Sequence, residues 1–218
     1  MALQPAVLWD MDGVLVDTTQ IHYQAWNQVL EPYHISFNFD RFIASFGMNN
    51  QAVITDLFGS PTDEFIEHLA NKKEMTFRAL VPGNVVLLPG VGKWLKRFQD
   101  WGFPQAIVSS APSENVDTIV DAMNIRGYFK ALVSATGLPS KPHPAIFLKA
   151  ARLVGVPPKD CLVVEDAPQG VQGARRAGMK SLAVLTTRSA EELKEASLIV
   201  QDLSCFTVEM AQELLQVP

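Results

Sequence analysis

The 218-residue sequence has few cysteines, no block of basic residues and no long apolar run. Its two cysteines are Cys161 and Cys205, and Cys161 begins an apolar run, so we expect a buried thiol in a reducing compartment. The formal net charge of −5, without a lysine- or arginine-rich block, makes nucleic acid an unexpected partner. No run approaches the ~20 apolar residues of a membrane span, and no secretory signal is visible. We therefore expect a cytoplasmic protein that binds neither membranes nor nucleic acid.

What the sequence does contain is a series of short apolar runs that predict strands. They are Ala6–Trp9, Gln105–Ser110, Ala131–Ser134, Cys161–Asp166 and Ser181–Thr186, with Ser197–Val200 as a candidate edge strand. Most do not alternate apolar and polar residues, as expected for strands buried on both faces of a parallel sheet.

Between the predicted strands lie helical patterns. One ends at Gly102, and the next begins at Ser113, its predicted N-cap. A third has Pro144 in its first turn and ends at Gly155. Strands and helices in alternation predict an α/β fold.

The region from Thr18 to Pro82 breaks this alternation, because it contains helical patterns and no convincing pair of strands. The patterns stop at Gly47, Gly59 and Pro82. We therefore predict an all-helical domain of residues 18–82, inserted after the first strand of a core that consists of residues 1–17 and 83–218. The length of the chain allows a core with an insert of this kind.

The first predicted strand runs into the segment VLWDMDGVLVD, which places Asp10 and Asp12 at the end of an apolar run. Residues two apart in a strand point to the same side, so we expect both carboxylates to point one way. Gly13 then permits a sharp turn. In open α/β sheets, ligands bind beyond the carboxyl ends of the strands. Because packing rarely requires two carboxylates at the end of a buried strand, the pair predicts a functional site.

Other predicted strands also end in polar residues. Ser109 and Ser110 precede a helix start, where free amides and a hydroxyl group suit a phosphate. Glu165 and Asp166 end a further strand, and Lys141 lies shortly before another helix. Each feature alone is common as a helix cap or a solvated charge, but together they indicate one site. Its four carboxylates would repel one another unless a cation neutralised them, and such oxygen ligands suit Mg²⁺.

In these segments the chain resembles the haloacid dehalogenase superfamily, in particular its β-phosphoglucomutase-like branch of phosphatases and mutases. The motifs DMDGVLVD, IVSS, KPHPAIF and VVEDAPQGVQGA occur in the order typical of that family, and the resemblance covers essentially the whole chain. The resemblance implies a Rossmann-like parallel-sheet core with an inserted all-helical cap domain, in agreement with the pattern described above.

The resemblance also implies roles for residues in these motifs. Asp10 would be the nucleophile that becomes an aspartyl-phosphate, and Asp12 the general acid and base. Ser109 and Lys141 would bind the transferring phosphoryl group. The implied ligands of Mg²⁺ are Asp10, the backbone carbonyl of Asp12, Glu165 and Asp166. Physical chemistry agrees, because a carboxylate needs no activating base and phosphoryl transfer needs mainly positioning and neutralised charge. The second aspartate argues against a dehalogenase, which protonates no leaving alkoxide.

In the helical insert, Thr18, His22 and Trp26 lie four residues apart on one face of the first predicted helix. With Ala25 they resemble the T-x-x-x-H-x-x-A-W pattern of the β-phosphoglucomutases, and Lys73 lies where those mutases have a cap lysine. The resemblance predicts that these residues contact the substrate. The alternative is that the histidine and the tryptophan are buried and pack the cap onto itself.

One position departs from the mutase pattern. In the segment FGMNNQ, Asn50 follows Gly47 at the place where the mutases have an arginine. A mutase must hold a bisphosphate by its second phosphate, and asparagine cannot replace the bidentate, permanently charged guanidinium. The departure favours hydrolysis. Gly47 and Asn50 complete the substrate-binding set predicted for the cap.

The sequence thus predicts a Mg²⁺-dependent phosphomonoester hydrolase that acts on a small phosphorylated metabolite, such as a sugar phosphate, through an aspartyl-phosphate intermediate. The enzymatic alternative is a β-phosphoglucomutase-type phosphotransferase. An alternative from another class is a non-catalytic phosphate-binding or regulatory protein, and the two intact acidic pairs count against it.

Overall fold

The computed structural model describes residues 4–45 and 48–217. The chain forms two compact units. The first contains the residues up to Asp17 and from Val86 onward, and the second is Thr18–Val85. The second unit thus extends three residues beyond the boundary predicted after Pro82. The assignment of these units as a catalytic core domain and a cap domain stays a prediction.

In the described part of the chain, six parallel strands form one sheet in the order β3–β2–β1–β4–β5–β6. They are β1 (Ala6–Trp9), β2 (Gln105–Ser109), β3 (Ala131–Ser134), β4 (Cys161–Glu165), β5 (Lys180–Val184) and β6 (Leu198–Val200). The parallel sheet confirms the predicted α/β fold, and β6 lies at an edge as expected. β2, β4 and β5 end one or two residues before their predicted ends.

Within the same described ranges, the strands are accompanied by nine α-helices and three short 3-10 helices. The α-helices are α1 (Thr19–Leu30), α2 (Phe39–Ser45), α3 (Asn50–Phe58), α4 (Asp63–Leu80), α5 (Val91–Asp100), α6 (Ser113–Ala122), α7 (Ala145–Val154), α8 (Pro168–Arg176) and α9 (Val208–Leu215). The 3-10 helices are Glu31–Tyr33, Arg126–Tyr128 and Pro158–Asp160. None of the helices in the described ranges is long and apolar enough to cross a membrane.

The central strands form part of the hydrophobic core of the first unit. Every residue of β1, β2 and β4 is buried, as expected where helices cover both faces of a parallel sheet. α7 packs against β1, β2 and β3, and its wholly buried Phe147 belongs to the hydrophobic cluster under those strands. Both cysteines are free, and Cys161 is buried as predicted, whereas Cys205 is exposed.

Two helix starts differ from the predictions. Ser113 is the first residue of α6 rather than its N-cap, because the extended backbone that precedes the helix belongs to Pro112, with ψ 149°. Pro144 stands at the N-cap position of α7 rather than in its first turn. The predicted end of α7 is correct, since Gly155 has a φ of +80° and accommodates the left-handed turn that ends the helix.

The second unit consists of α1–α4 and, within residues 18–45 and 48–85, contains no strand of the sheet. Its helices enclose a separate hydrophobic cluster that includes Trp26, Phe42, Ile54 and Leu69. α3 ends before Gly59, as predicted. The helix stop predicted at Gly47 lies outside the described residues.

Two consecutive hydrogen bonds between buried groups in the core allow a test of the fold. The indole Nε1 of Trp9 donates to Oε1 of Gln105 at 2.9 Å, and Nε2 of Gln105 donates to the carbonyl of Leu95 at 2.9 Å. Gln105→Leu should leave the indole N–H of Trp9 buried without a hydrogen bond and lower the free energy of unfolding by about 1–3 kcal/mol. Gln99→Leu, at an exposed glutamine, should change it by less than about 0.5 kcal/mol. Urea denaturation measures both variants, and equal losses would contradict this role of Gln105.

Candidate active site

The candidate site begins where β1 ends. β1 ends at Trp9, so Asp10 and Asp12 lie in the loop beyond the strand, and the two-residue period of a strand does not apply to them. The amide of Asp10 donates to the carbonyl of Val164 at 2.9 Å, which fixes this loop beside the end of β4. Gly13 has a φ of +80° and makes the predicted sharp turn.

Three carboxylates meet beyond the neighbouring ends of β1 and β4. Asp10, Glu165 and Asp166 each offer one carboxylate oxygen, and these oxygens lie within 4.8 Å of one another. Glu165 is wholly buried and Asp166 is 4% exposed. The carboxylate of Asp12 is not part of this group, and the metal contact predicted for Asp12 involves its backbone carbonyl. The structure therefore brings together three of the four predicted acidic side chains.

Lys141 lies among these carboxylates. Its Nζ donates to Oδ1 of Asp10 at 2.9 Å, to Oε1 of Glu165 at 2.5 Å and to the carbonyl of Val108 at 3.3 Å. The ammonium also lies 5.4 Å from the centre of the Phe147 ring. One lysine, whose side chain is largely buried, thus joins the loop after β1 and the last residue of β4 to β2.

The backbone of the next loop holds the other oxygen of Glu165. Oε2 accepts the amide hydrogens of Asp166 at 3.1 Å and Ala167 at 3.2 Å. Gly170, in the first turns of α8, leaves space for this carboxylate, because a Cβ there would collide with the Glu165 side chain. Both oxygens of Glu165 are therefore fixed by neighbours.

Burial opposes the charges of this cluster. It raises the pKa of Glu165 to about 7 and that of Asp166 to about 8, and the negative charge of Asp10 adds to both shifts. Burial also opposes the charge of Lys141, but the carboxylates of Asp10 and Glu165 outweigh this effect and raise the pKa of Lys141 above its usual range. Three carboxylates with one lysine leave an excess of negative charge and hard oxygen donors, which suits a small divalent cation.

Sequence reasoning missed two residues at this cluster. Thr187 donates a hydrogen bond from its Oγ1 to the carboxylate of Asp166. It lies three residues beyond the end of β5, so a hydroxyl group shortly after an apolar run was the available signal. Gly170 lies within the quoted motif VVEDAPQGVQGA, but only the rotation of α8 shows that it faces Glu165.

Of the predicted phosphate-binding serines, Ser109 is the last residue of β2, the other neighbour of β1 in the sheet, and Ser110 follows it. Ser109 is buried, and its Oγ accepts the amide hydrogen of Ala111 at 3.1 Å. Ser110 is exposed. Since α6 begins at Ser113, both serines lie just before a helix N-terminus, as the sequence predicted.

In the second unit, four polar side chains form a connected cluster that we call the cap polar cluster: His22, Asn50, Lys73 and Glu74. Nζ of Lys73 lies 2.9 Å from Nδ1 of His22 and donates to Oε1 of Glu74 at 2.9 Å. Nδ2 of Asn50 donates to the same oxygen of Glu74 at 2.7 Å. The ring of His22 stacks on Phe77 with centroids 4.0 Å apart. Glu74 was not among the predicted residues, although it adjoins Lys73 in the sequence.

The other predicted cap residues are in different surroundings. Trp26 is 4% exposed and belongs to the hydrophobic cluster of the second unit, as the packing alternative expects. Thr18 is 1% exposed. Gly47 lies outside the described residues. Substrate contact by Thr18, His22, Trp26, Asn50 and Lys73 stays a prediction.

Comparison with known proteins places this geometry in a family. Residues 7–184 match the haloacid dehalogenase-like hydrolases. The β-phosphoglucomutase of Bacillus subtilis is 30% identical over 217 residues, which cover 95% of this chain and 94% of that protein. The fructose-1-phosphate phosphatase of Escherichia coli is 31% identical over 183 residues, which cover 82% of this chain and 95% of that protein. A crystal structure of β-phosphoglucomutase from Clostridium difficile superimposes with a TM-score of 0.84 at 26% identity, covering 98% of both chains.

A parallel sheet with an acidic cluster at the ends of its central strands, in a chain with a helical unit inserted after β1, suits an α/β enzyme that binds its substrate at the carboxyl ends of the strands. The chain belongs to the haloacid dehalogenase-like hydrolases, in their branch of phosphatases and mutases. The predicted family, the fold class with its cap and the enzyme class are thereby confirmed.

The pKa of His22, the histidine of the cap polar cluster, allows a test of how buried that cluster is. Burial, and then the charge of Lys73, lower the pKa of His22 from 6.5 to about 3. Between these values the unfolded chain binds a proton at His22 that the folded chain does not, so the contribution of His22 to stability should fall as the pH decreases below about 6.5. The contribution of one such group reaches at most about 1.4 kcal/mol per pH unit. His22→Gln should reduce the slope of unfolding free energy against pH.

The control is His68→Gln, which changes an exposed histidine of the same unit. Urea unfolding from about pH 7 to about pH 5 should show the reduced slope for His22→Gln and not for His68→Gln. Identical slopes for the wild type and His22→Gln would contradict the lowered pKa.

Proposed function

We propose that this protein is a Mg²⁺-dependent phosphomonoester hydrolase that acts on a small phosphorylated metabolite through an aspartyl-phosphate on Asp10. The observation that carries the proposal is the position of the Asp10 carboxylate, which lies beyond the end of β1 and accepts a hydrogen bond from Lys141 at 2.9 Å. Ligands of open α/β sheets bind in this position. The relatives named as a fructose-1-phosphate phosphatase and as a β-phosphoglucomutase both handle small phosphorylated sugars, which supports this substrate class.

In the first half of the reaction, a carboxylate oxygen of Asp10 attacks phosphorus and forms the aspartyl-phosphate as the bond to the leaving oxygen breaks. Asp12 gives its proton to that oxygen, which leaves as an alcohol. The ammonium of Lys141 neutralises negative charge beside the attacked group. Ser109 and the first amides of α6 would bind the phosphoryl oxygens.

In the second half, a water molecule attacks the phosphorus of the aspartyl-phosphate. Asp12, now ionised, accepts a proton from this water, and the bond between phosphorus and the Asp10 oxygen breaks. Inorganic phosphate leaves, and both aspartates return to their starting protonation states. No co-reactant besides water is required.

The acidic cluster supports Mg²⁺ as the cofactor. Asp10, Glu165, Asp166 and the backbone carbonyl of Asp12 would hold it, and bound Mg²⁺ would supply Lewis-acid neutralisation of the phosphoryl oxygens. Glu165 and Asp166, whose charges are opposed by burial, would be held as carboxylates by such a cation. A small metabolite as substrate, with neither a membrane nor nucleic acid as partner, is consistent with a cytoplasmic location.

A β-phosphoglucomutase-type phosphotransferase is the second candidate, and the 30% identity with the Bacillus subtilis enzyme favours it. The cap polar cluster favours hydrolysis. Lys73, the buried cation of that cluster, pairs with Glu74, which also holds Asn50. The carboxylate of Glu74 already neutralises the ammonium of Lys73, so this cluster attracts a second phosphate weakly. A cluster that also contained an arginine would attract it more strongly.

The two aspartates give the first test of the proposal. Asp10→Asn should fold normally and lose essentially all hydrolysis of an aryl phosphate, because the nucleophile is gone. Asp12→Asn should lower the rate of hydrolysis ~10²–10⁴-fold, the usual effect of removing a general acid and base. Asp100→Asn, a surface control that breaks an ion pair with Lys96, should keep the wild-type rate. Release of phosphate by Asp10→Asn at the wild-type rate would refute the assignment.

The same assay separates an enzyme from a non-catalytic phosphate-binding or regulatory protein. That alternative, which the intact acidic cluster disfavours, requires binding of phosphate without turnover by the wild type.

Hydrolysis and mutase chemistry differ in what becomes of the aspartyl-phosphate. We expect phosphate release from several sugar monophosphates and no efficient conversion of β-glucose 1-phosphate to glucose 6-phosphate. A coupled glucose 6-phosphate assay, primed with glucose 1,6-bisphosphate and run beside a free-phosphate assay, measures both. Asn50→Arg should raise the affinity for bisphosphates if Asn50 contacts the distal phosphate. Isomerisation much faster than phosphate release would make the mutase the correct function.

A further inference from the structure

We propose that Thr187 is a positioning residue for the cation site, because it fixes which oxygen of Asp166 faces the ion. The inference rests on the proposed function, since Asp166 is a ligand only if the acidic cluster binds Mg²⁺. It goes further in assigning a role to a residue that lies outside the four motifs of the family.

The contact itself is specific. Oγ1 of Thr187 donates to Oδ2 of Asp166 and lies 3.2 Å from the backbone carbonyl of the same residue. A hydroxyl group has one hydrogen, and the ionised carboxylate is the stronger acceptor of the two. With Oδ2 occupied by this hydrogen bond, Oδ1 remains as the oxygen for a cation.

The sheet brings the two residues together although they are 21 residues apart. β4 and β5 are neighbours, and Glu165 is paired with Ala183 in their register. Asp166 therefore leaves the sheet directly beside the chain that leads from β5 to Thr187. The threonine reaches the carboxylate from the side of β5, whereas Lys141 reaches Asp10 and Glu165 from the side of β2.

A third segment restricts Asp166 further. A Cβ at Gly13 would collide with the Asp166 carboxylate and lie 3.1 Å from Cγ2 of Thr187. The Asp166 side chain is thus enclosed between the backbone turn after β1 and the threonine. Partners that orient a ligating carboxylate typically contribute ~10–100-fold to metal affinity.

The test measures binding of the metal alone, without substrate. The dissociation constant of Mg²⁺ can be obtained from its displacement of Mn²⁺, followed by the electron paramagnetic resonance signal of free Mn²⁺. Thr187→Val keeps the branched shape and removes the hydroxyl group, so it should weaken Mg²⁺ binding by ~10-fold or more. Thr187→Ser keeps the hydroxyl group and should bind within about threefold of the wild type.

Thr186→Val is the matched control, because it removes the hydroxyl group of an exposed neighbour. It should leave the dissociation constant unchanged. Thr187→Ala provides a smaller replacement if Thr187→Val does not fold, and its comparison with Thr187→Ser again isolates the hydroxyl group. Turnover at saturating Mg²⁺ should recover in Thr187→Val to within a few fold, whereas turnover at low Mg²⁺ should not.

The outcomes separate this inference from the proposed function. Wild-type affinity in Thr187→Val, or equal weakening in Thr187→Val and Thr187→Ser, would overturn the positioning role alone. A wild type that does not bind Mg²⁺ would overturn the proposed function and this inference together.

Discussion

The ion pairs of Lys141 are the interaction on which the rest of the site depends. The lysine joins Asp10, 131 residues away in sequence, to Glu165, 24 residues away. Both carboxylates are largely removed from water, and a buried charge is costly unless it has a partner. One ammonium thus links the loop after β1, the last residue of β4 and the segment before α7.

The sequence could predict this part of the site because its signal is local. A carboxylate or hydroxyl group at the end of an apolar run needs no knowledge of tertiary structure to be recognised, and parallel strands bring such ends together. Asp10, Ser109 and Glu165 were found in this way. Thr187 lies three residues beyond β5, so its reach toward Asp166 depends on the path of a turn. The errors at Ser113 and Pro144 are of the same kind, since both concern where a loop becomes a helix.

The cap shows a different limit of sequence reasoning. Lys73 was predicted from its resemblance to the cap lysine of the mutases, and adjacent residues on a helix point in different directions, so nothing gave a reason to include Glu74. In the structure the flexible lysine side chain reaches its neighbour, and Asn50 reaches it from another helix. Trp26 packs in the hydrophobic cluster, as the packing alternative expects, while His22 contacts the buried ammonium of Lys73. A helical spacing indicates a shared face and does not say what that face contacts.

The place of β1 in the sheet has a consequence for how the chain folds as it is synthesised. β1 pairs with β2 and β4, with Trp9 beside Ile107 and Val164. A ribosome that has made Trp9 must add 98 more residues (107 − 9), including the whole helical unit, before the first partner exists. At ~5–20 residues per second this takes on the order of 10 s. During that interval the AVLW segment is an unpaired apolar strand, and the helices of the inserted unit can form before the sheet into which that strand belongs.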